Sequence, residues 1–212
     1  MTERTHQVRR GRVAEAERND ASILTAARSV FIFDPKAPIS EVAKRAGVGI
    51  GALYSRYGSK ENLLATLCEL GQQTYLTEVE RALASDEDPG EAYFGFLRRI
   101  VDADTHSLTV HLAGMFTPTE RHIAKAERMR ELGDDLFDRA QRAGAVRPDV
   151  TNLDVAFLLE MIATTSIGDQ ERTAEVRQRQ LAVIIDGLRS PDRQPLPGQP
   201  PTWEEQSARW MR

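Results

Sequence analysis

Apolar residues recur along this chain three and four positions apart, the period of an amphipathic α-helix. The pattern is sharpest from Ile39 to Lys60, ISEVAKRAGVGIGALYSRYGSK. Ile39, Val42, Ala43 and Ala46 fall at i, i+3, i+4 and i+7, which makes one inward stripe over two turns. Gly47 ends that helix, because glycine enters the left-handed backbone conformation that closes a helix without a side-chain clash. Val48 packs the turn, and a second short helix begins near Gly49. On it Leu53 and Tyr57 point inward, while Ile50, Gly51, Tyr54 and Ser55 share the other face. That face is small, partly apolar and uncharged, where a solvated helix ordinarily carries charge. It is shaped to be covered. Helix, glycine turn, helix is the arrangement that sets its second helix into the major groove of DNA.

The flanking sequence reads as further helices. Asn19 or Asp20 is a candidate cap for a helix whose buried face is Ile23, Leu24, Ala27, Val30 and Phe31, ended by Asp34-Pro35. Ser59 is a candidate cap for a long helix to about Ala84, with Lys60 in its opening turn and Leu63, Leu64, Leu67, Leu70 and Tyr75 apolar. SDEDPG at 85–90 marks a loop and a boundary between halves. Helices are expected at about 90–105 and 107–116, then from Pro118 in a first turn to Ala143, with Gly144 as the stop. Thr151 and Asp154 form a capping-box-like start to a helix carrying Val155, Leu158, Leu159, Ile162 and Thr165. Another spans about Thr173 to Leu188, its stripe Leu181, Ile184, Ile185 and Leu188, with Arg177 and Arg179 off it. No strand alternation and no repeat of 20–50 residues appears. The expected class is all-α, about nine helices.

Composition places the chain among ordinary soluble domains: 212 residues, 41% hydrophobic and 28% charged. No apolar run approaches a membrane span, and MTERTHQVRRGR lacks the apolar core of a signal peptide. The one cysteine, Cys68, can make no internal disulfide, which suits a cytoplasmic location, and its leucine-rich surroundings point to a buried, inert thiol. The net charge of −4 hides a polarity. Residues 1–60 carry 11 Lys/Arg against 6 Asp/Glu, and the remainder 17 against 26. A basic end bearing a groove-shaped helix fits attraction to phosphate, and an acidic body is held off it. Residues 1–18, with Arg9, Arg10 and Arg12, are either a solvated tail or an arm that touches DNA.

AGVGIGALYSRYGSKENLL resembles the recognition helix and its exit in the tetracycline-repressor (TetR) family of bacterial transcriptional regulators. The match runs from about Asn19 to Leu67. The family's pattern is a glycine turn, a small residue, Gly-Thr/Ala-Leu-Tyr, two variable residues, an aromatic, a short turn, then Ser-Lys-Glu and leucines. Two departures stand out: Ala52 often is threonine in the family, and Ile50 replaces a polar residue found in many members. FDPKAP also lacks a glycine common near that point.

The resemblance implies a helix-turn-helix head at 19–62, a C-terminal effector-binding and dimerisation bundle at 63–189, and leaves a Pro-rich tail at 190–212. It implies double-stranded operator DNA, a small-molecule effector and a second copy of the chain as partners, with no cofactor. On the DNA side the candidates are Ser40, Gly49, Ile50, Gly51, Ala52, Tyr54, Ser55, Arg56, Tyr57 and Lys60. Ile50 has no hydrogen-bonding group, so a thymine methyl is its natural partner. Gly51 lets the backbone approach closely. Tyr54 can pack on a base edge and reach a phosphate, and Ser55 can donate to either. The family positions of Tyr54, Arg56 and Lys60 often bind phosphate, contacts that orient without specifying. Tyr57, on the inward side, reads first as a core aromatic.

The resemblance also implies that the last two core helices pair with those of a second copy. The candidates are Val155, Leu158, Leu159, Ile162, Leu181, Ile184, Ile185 and Leu188, whose alternative is simply to close the monomer's own core. Candidate effector-lining residues are Phe94, Leu97, Val101, His111, Met115 and Phe116, with ordinary packing as the alternative. His106, His111 and His122 lack the i, i+4 pairing of a helical zinc site, so no metal is expected. GVGIG has no strand before it and misses the dinucleotide-binding spacing, so no enzyme is expected either. A DNA-binding architectural protein and a protein-binding helical module are the remaining classes. The second leaves the basic head and its uncharged face unexplained.

Overall fold

The computed structural model describes residues 19–112, 114–189 and 194–208, without the side chains of 108–111. The arm at 1–18, residues 190–193 and Trp210 lie outside the described residues. Among the described residues there are ten helices and no strand: α1 (19–33), α2 (Ile39–Ala46), α3 (Ile50–Tyr57), α4 (Lys60–Leu83), α5 (Pro89–Asp102), α6 (Thr105–Leu112), α7 (Glu120–Arg142), α8 (Asn152–Ala163), α9 (Gln170–Leu188) and α10 (Trp203–Ser207). The chain forms two compact units, Met1–Leu67 with Met115–Thr117, and Cys68–Gly114 with Pro118–Arg212. The break falls inside α4, and the 85–90 loop lies wholly within the second unit.

In the first unit α1 buries Ile23, Ala27 and Phe31, and α2 buries Ile39, Val42 and Ala43. Gly47 is left-handed at φ 69°, and the N–H of Val48 reaches back to the Ala43 carbonyl at 3.0 Å, which closes α2 as a glycine C-cap does. Gly58, at φ 76°, ends α3. Ser59 then accepts from the N–H of Asn62 at 3.1 Å and opens α4. Asp20 is not the free cap that its position suggests: its carboxylate binds Arg56 and Tyr57 instead.

The second unit packs α4, α5, α7, α8 and α9 around one apolar core. Several starts differ from the sequence pattern for local reasons. Asp88 accepts from the N–H groups of Gly90 and Glu91 with Pro89 at the first position, so α5 begins inside the expected loop. Pro118 lies outside α7, whose cap is Thr119, because Thr119 and His122 exchange a capping box. Asp169 caps α9, which therefore begins at Gln170, three residues before the expected start at Thr173. Thr151 and Asp154 form the expected capping box, and Gly144, at φ 76°, follows α7. The segment 194–208 is held, not loose. Arg147 donates to the Gln194 carbonyl at 3.0 Å, the N–H of Leu196 donates to Asp149 at 2.9 Å, and Trp203 lies under the Arg130 guanidinium.

Burial puts most of the interface candidates inside the second unit. Val155, Leu159, Ile162, Leu181, Ile185 and Leu188 belong to the unit's own core, with Leu158 half-buried and Ile184 packed on its edge. An apolar stripe attracts whatever apolar surface is nearest, and here α5 and α7 supply it within the same chain. The large apolar side chains that α8 and α9 leave outward are Met161 and Val183, 66% and 70% exposed.

Candidate nucleic-acid interface

Leu53 is fully buried and anchors α3 to the head. Fixing that one residue fixes the helix's rotation. Ile50 and Tyr54 are then 46% and 48% exposed, and Gly49, Gly51, Ala52 and Ser55 are exposed beside them. A Cβ added at Gly51 would meet nothing within 4 Å, so the chain itself leaves that position open to an approaching surface. Large apolar groups this exposed cost hydration free energy unless something covers them. Ser40 is also exposed, in the first turn of α2, where Pro38 offers no side-chain cap to the free N–H groups.

The remaining candidates are occupied within the head. Arg56 donates to Asp20 through Nε at 3.0 Å and through its terminal nitrogen at 2.9 Å. Tyr57 is half-buried and its hydroxyl donates to the same carboxylate at 2.5 Å. The Arg56 hydrogen bond outweighs the cost of burial and holds the Asp20 carboxyl below its usual range, while burial and Asp20 push the Tyr57 phenol up. Lys60, expected at a phosphate, spends two of its three N–H donors on the carbonyls of Pro35 and Ala37, at 3.0 and 2.7 Å. Its ammonium also lies 5.0 Å from the centroid of the Phe31 ring. Lys60 thus ties the α1–α2 loop to the start of α4. Asp20 was missed as a partner because 36 residues separate it from Arg56.

The effector candidates are divided between the two units. Phe94 and Leu97 are fully buried in the core, Phe94 beneath the Arg189 guanidinium at 4.5 Å. Val101 is half-buried in the same unit, Met115 and Phe116 belong to the first, and the His111 side chain is outside the described residues. A different set brings polar atoms into the interior of the second unit. The Tyr93 hydroxyl and Gln72 Oε1 are buried with no hydrogen-bond partner among the described residues, and Gln72 Nε2 donates to the His122 carbonyl. Tyr75, one turn on from Gln72, packs edge-on against Phe96 at 5.2 Å and His106 at 6.4 Å. Burial pushes His106 down to about 4, so its imidazole is neutral at pH 7. Tyrosine and glutamine inside an otherwise leucine-rich helix were the available signal. Among the described residues no cluster of His, Cys, Asp or Glu could hold a metal ion, and no helix is long and apolar enough to cross a membrane.

Residues 23–67 match the family model for bacterial regulatory proteins of the tetR family, and residues 88–190 match the C-terminal domain of SbtR-like transcriptional regulators. A TetR transcription regulatory protein from Mycobacterium vanbaalenii is 32% identical, over 84% of this chain and 98% of that one, with a TM-score of 0.54. The chain belongs to the TetR family. It is similar over 82% of its length to the TetR transcriptional regulator SCO0520 from Streptomyces coelicolor, at 28% identity and a TM-score of 0.55, covering 99% of that chain. Among curated proteins it is 26% identical to the HTH-type transcriptional regulator NfxB of Pseudomonas aeruginosa, over 80% of this chain and 91% of that one. This TetR-family chain is therefore a transcriptional regulator, with its DNA-binding helix-turn-helix at α2–α3.

Proposed function

We propose that this protein is a homodimeric, cytoplasmic repressor that grips operator DNA through the outward face of α3 and is released when a small molecule enters the second unit. The observation that carries the DNA reading is the open, uncharged strip of Ile50, Gly51, Ala52, Tyr54 and Ser55 on a helix locked by Leu53. Ile50 and Ala52 suit thymine methyl groups, and Tyr54 and Ser55 supply the hydroxyl donors and acceptors. One short helix covers few base pairs, so useful affinity calls for two heads in successive grooves. The exposed Met161 of α8 and Val183 of α9 support pairing through those helices, on the side turned away from the core.

For the effector, the buried Tyr93 hydroxyl and Gln72 Oε1 support a ligand that brings hydrogen-bonding groups into a mainly apolar interior. Such a ligand releases DNA only by binding the non-DNA-binding arrangement more tightly, since differential affinity alone shifts the equilibrium. The test is selection of bound duplexes from a random pool, followed by titration of the selected site with wild type and Tyr54→Ala. Loss of one base contact is expected to weaken specific binding by about 10- to 100-fold. Unchanged affinity and unchanged sequence preference in Tyr54→Ala would remove α3 from the interface.

A further inference from the structure

α3 contains a single cation, Arg56, and the fold does not leave it to the solvent alone. Asp20 of α1 receives the guanidinium in a two-pronged pair, Nε to Oδ1 at 3.0 Å and the terminal nitrogen to Oδ2 at 2.9 Å. Tyr57, the next residue, donates its hydroxyl to the same Oδ1. The Arg56 side chain is 63% exposed and that of Asp20 25%, so the pair lies at the surface with its carboxylate the more enclosed partner. A two-pronged arginine–carboxylate pair is directional and stronger than a single-point contact. It neutralises the charge in place.

We propose that Asp20 is a specificity-determining residue of the operator contact: it silences the one cation of α3 and, by holding Arg56 and Tyr57 together, sets the angle at which the uncharged face of α3 is presented. The proposal rests on the DNA reading above. An arginine free beside the groove would bind any phosphate and strengthen attachment to every sequence equally, through counterion release. Pairing it with Asp20 removes that indiscriminate contribution. What remains to hold α3 in the groove is Ile50, Gly51, Ala52, Tyr54 and Ser55, which respond to base edges and groove shape. The low charge of the reading face thus has two sources, the residues that line it and a carboxylate contributed from 36 positions away.

The experiment uses the full-length protein, the selected operator and a scrambled duplex of equal length, with affinity measured against salt concentration. Asp20→Asn preserves shape and can still accept from Tyr57, but frees the Arg56 charge. It is expected to tighten binding to the scrambled duplex several-fold, to steepen the log–log salt slope by about 0.9 per head, and to lower the operator-to-scrambled ratio about tenfold. Adding Arg56→Gln to that variant is expected to return the slope to the wild-type value. The proposal is overturned if Asp20→Asn weakens both duplexes equally with an unchanged slope and a lower Tm, which is the behaviour of a structural brace. It is also overturned if Arg56→Gln alone flattens the slope by about 0.9, since Arg56 then holds a phosphate in the complex. Tyr54→Ala separates the two readings. If it abolishes operator preference while Asp20→Asn changes neither slope nor ratio, only the present inference falls; if wild type shows no preference between duplexes, the DNA reading falls and takes this one with it.

Discussion

Arg177 of α9 reaches Asp104, 73 residues earlier, and donates to its carboxylate at 2.6 Å. The same guanidinium donates to the carbonyl of Ala163 at 2.7 Å and to that of Thr165 at 3.0 Å, so it also caps the C-terminal end of α8. Asp104 itself sits at φ 53°, a left-handed conformation that costs a non-glycine residue strain and persists only where its surroundings hold it. Ser107 donates to Asp104 as well. One buried cation therefore binds the α5–α6 elbow, the end of α8 and the middle of α9. The sequence pattern puts Arg177 off the apolar stripe, yet its side chain is buried.

Arg177→Met is expected to destabilise the protein by about 2–4 kcal/mol, because it takes a buried charged donor away from the Asp104 carboxylate and from the Ala163 and Thr165 carbonyls at once. For a chain of this size that lowers Tm by roughly 5–15 °C. Arg177→Lys should recover only part of the loss, since a single ammonium cannot reach three acceptors in the fixed geometry of the guanidinium. Thermal unfolding followed by circular dichroism decides; a Tm within about 2 °C of wild type for Arg177→Met would show the network to be idle.

His106 makes stability depend on pH in a defined window. Its folded value of about 4 lies below the ordinary 6.5 because burial disfavours the charged imidazole. Between those values the unfolded chain takes up a proton that the folded chain refuses, so stability is full above about pH 6.5 and declines as pH falls toward 4. The loss from this one group amounts to about 3 kcal/mol at most. Denaturant titrations at pH 7, 5.5 and 4.5 should show the decline, and His106→Phe, which keeps a ring against Tyr75, should flatten it. An equal decline in the variant would assign the effect to other groups.

The proposed dimer face and the core beneath it call for two kinds of variant. Met161→Glu together with Val183→Glu changes only exposed positions, so it should leave Tm within a few degrees of wild type while shifting dimer to monomer in sedimentation equilibrium. Ile185→Ala removes buried methyl groups from the monomer's own core and should cost about 2–5 kcal/mol. A dimer that survives both glutamates would exclude this face as the contact between copies.

Ile50, Tyr54 and Leu53 show how far local pattern reaches. Their spacing alone tells which of them turns outward, because a helix repeats within four residues. The same is true of the Gly47 turn and of the Thr151–Asp154 box, where partners lie three to five positions apart. The stripe on α9 shows the limit. Leu181, Ile185 and Leu188 had to be buried, but periodicity is indifferent to whether the covering surface comes from the same chain or from a copy. Phe94 and Leu97, chosen for apolar character, are likewise buried, and the pattern is as indifferent to what they face.

By itself the sequence determined the helices, most of their ends, the family and the rotation of the reading helix, since each depends on interactions within a few residues or on a motif written contiguously. Tertiary structure alone decided that Asp20 meets Arg56, that Arg177 meets Asp104, and that Lys60 serves a loop. Those pairings join segments 23 to 73 residues apart. A charged side chain in a sequence has many candidate partners of opposite sign, and only the packing of the helices brings one of them within hydrogen-bonding distance.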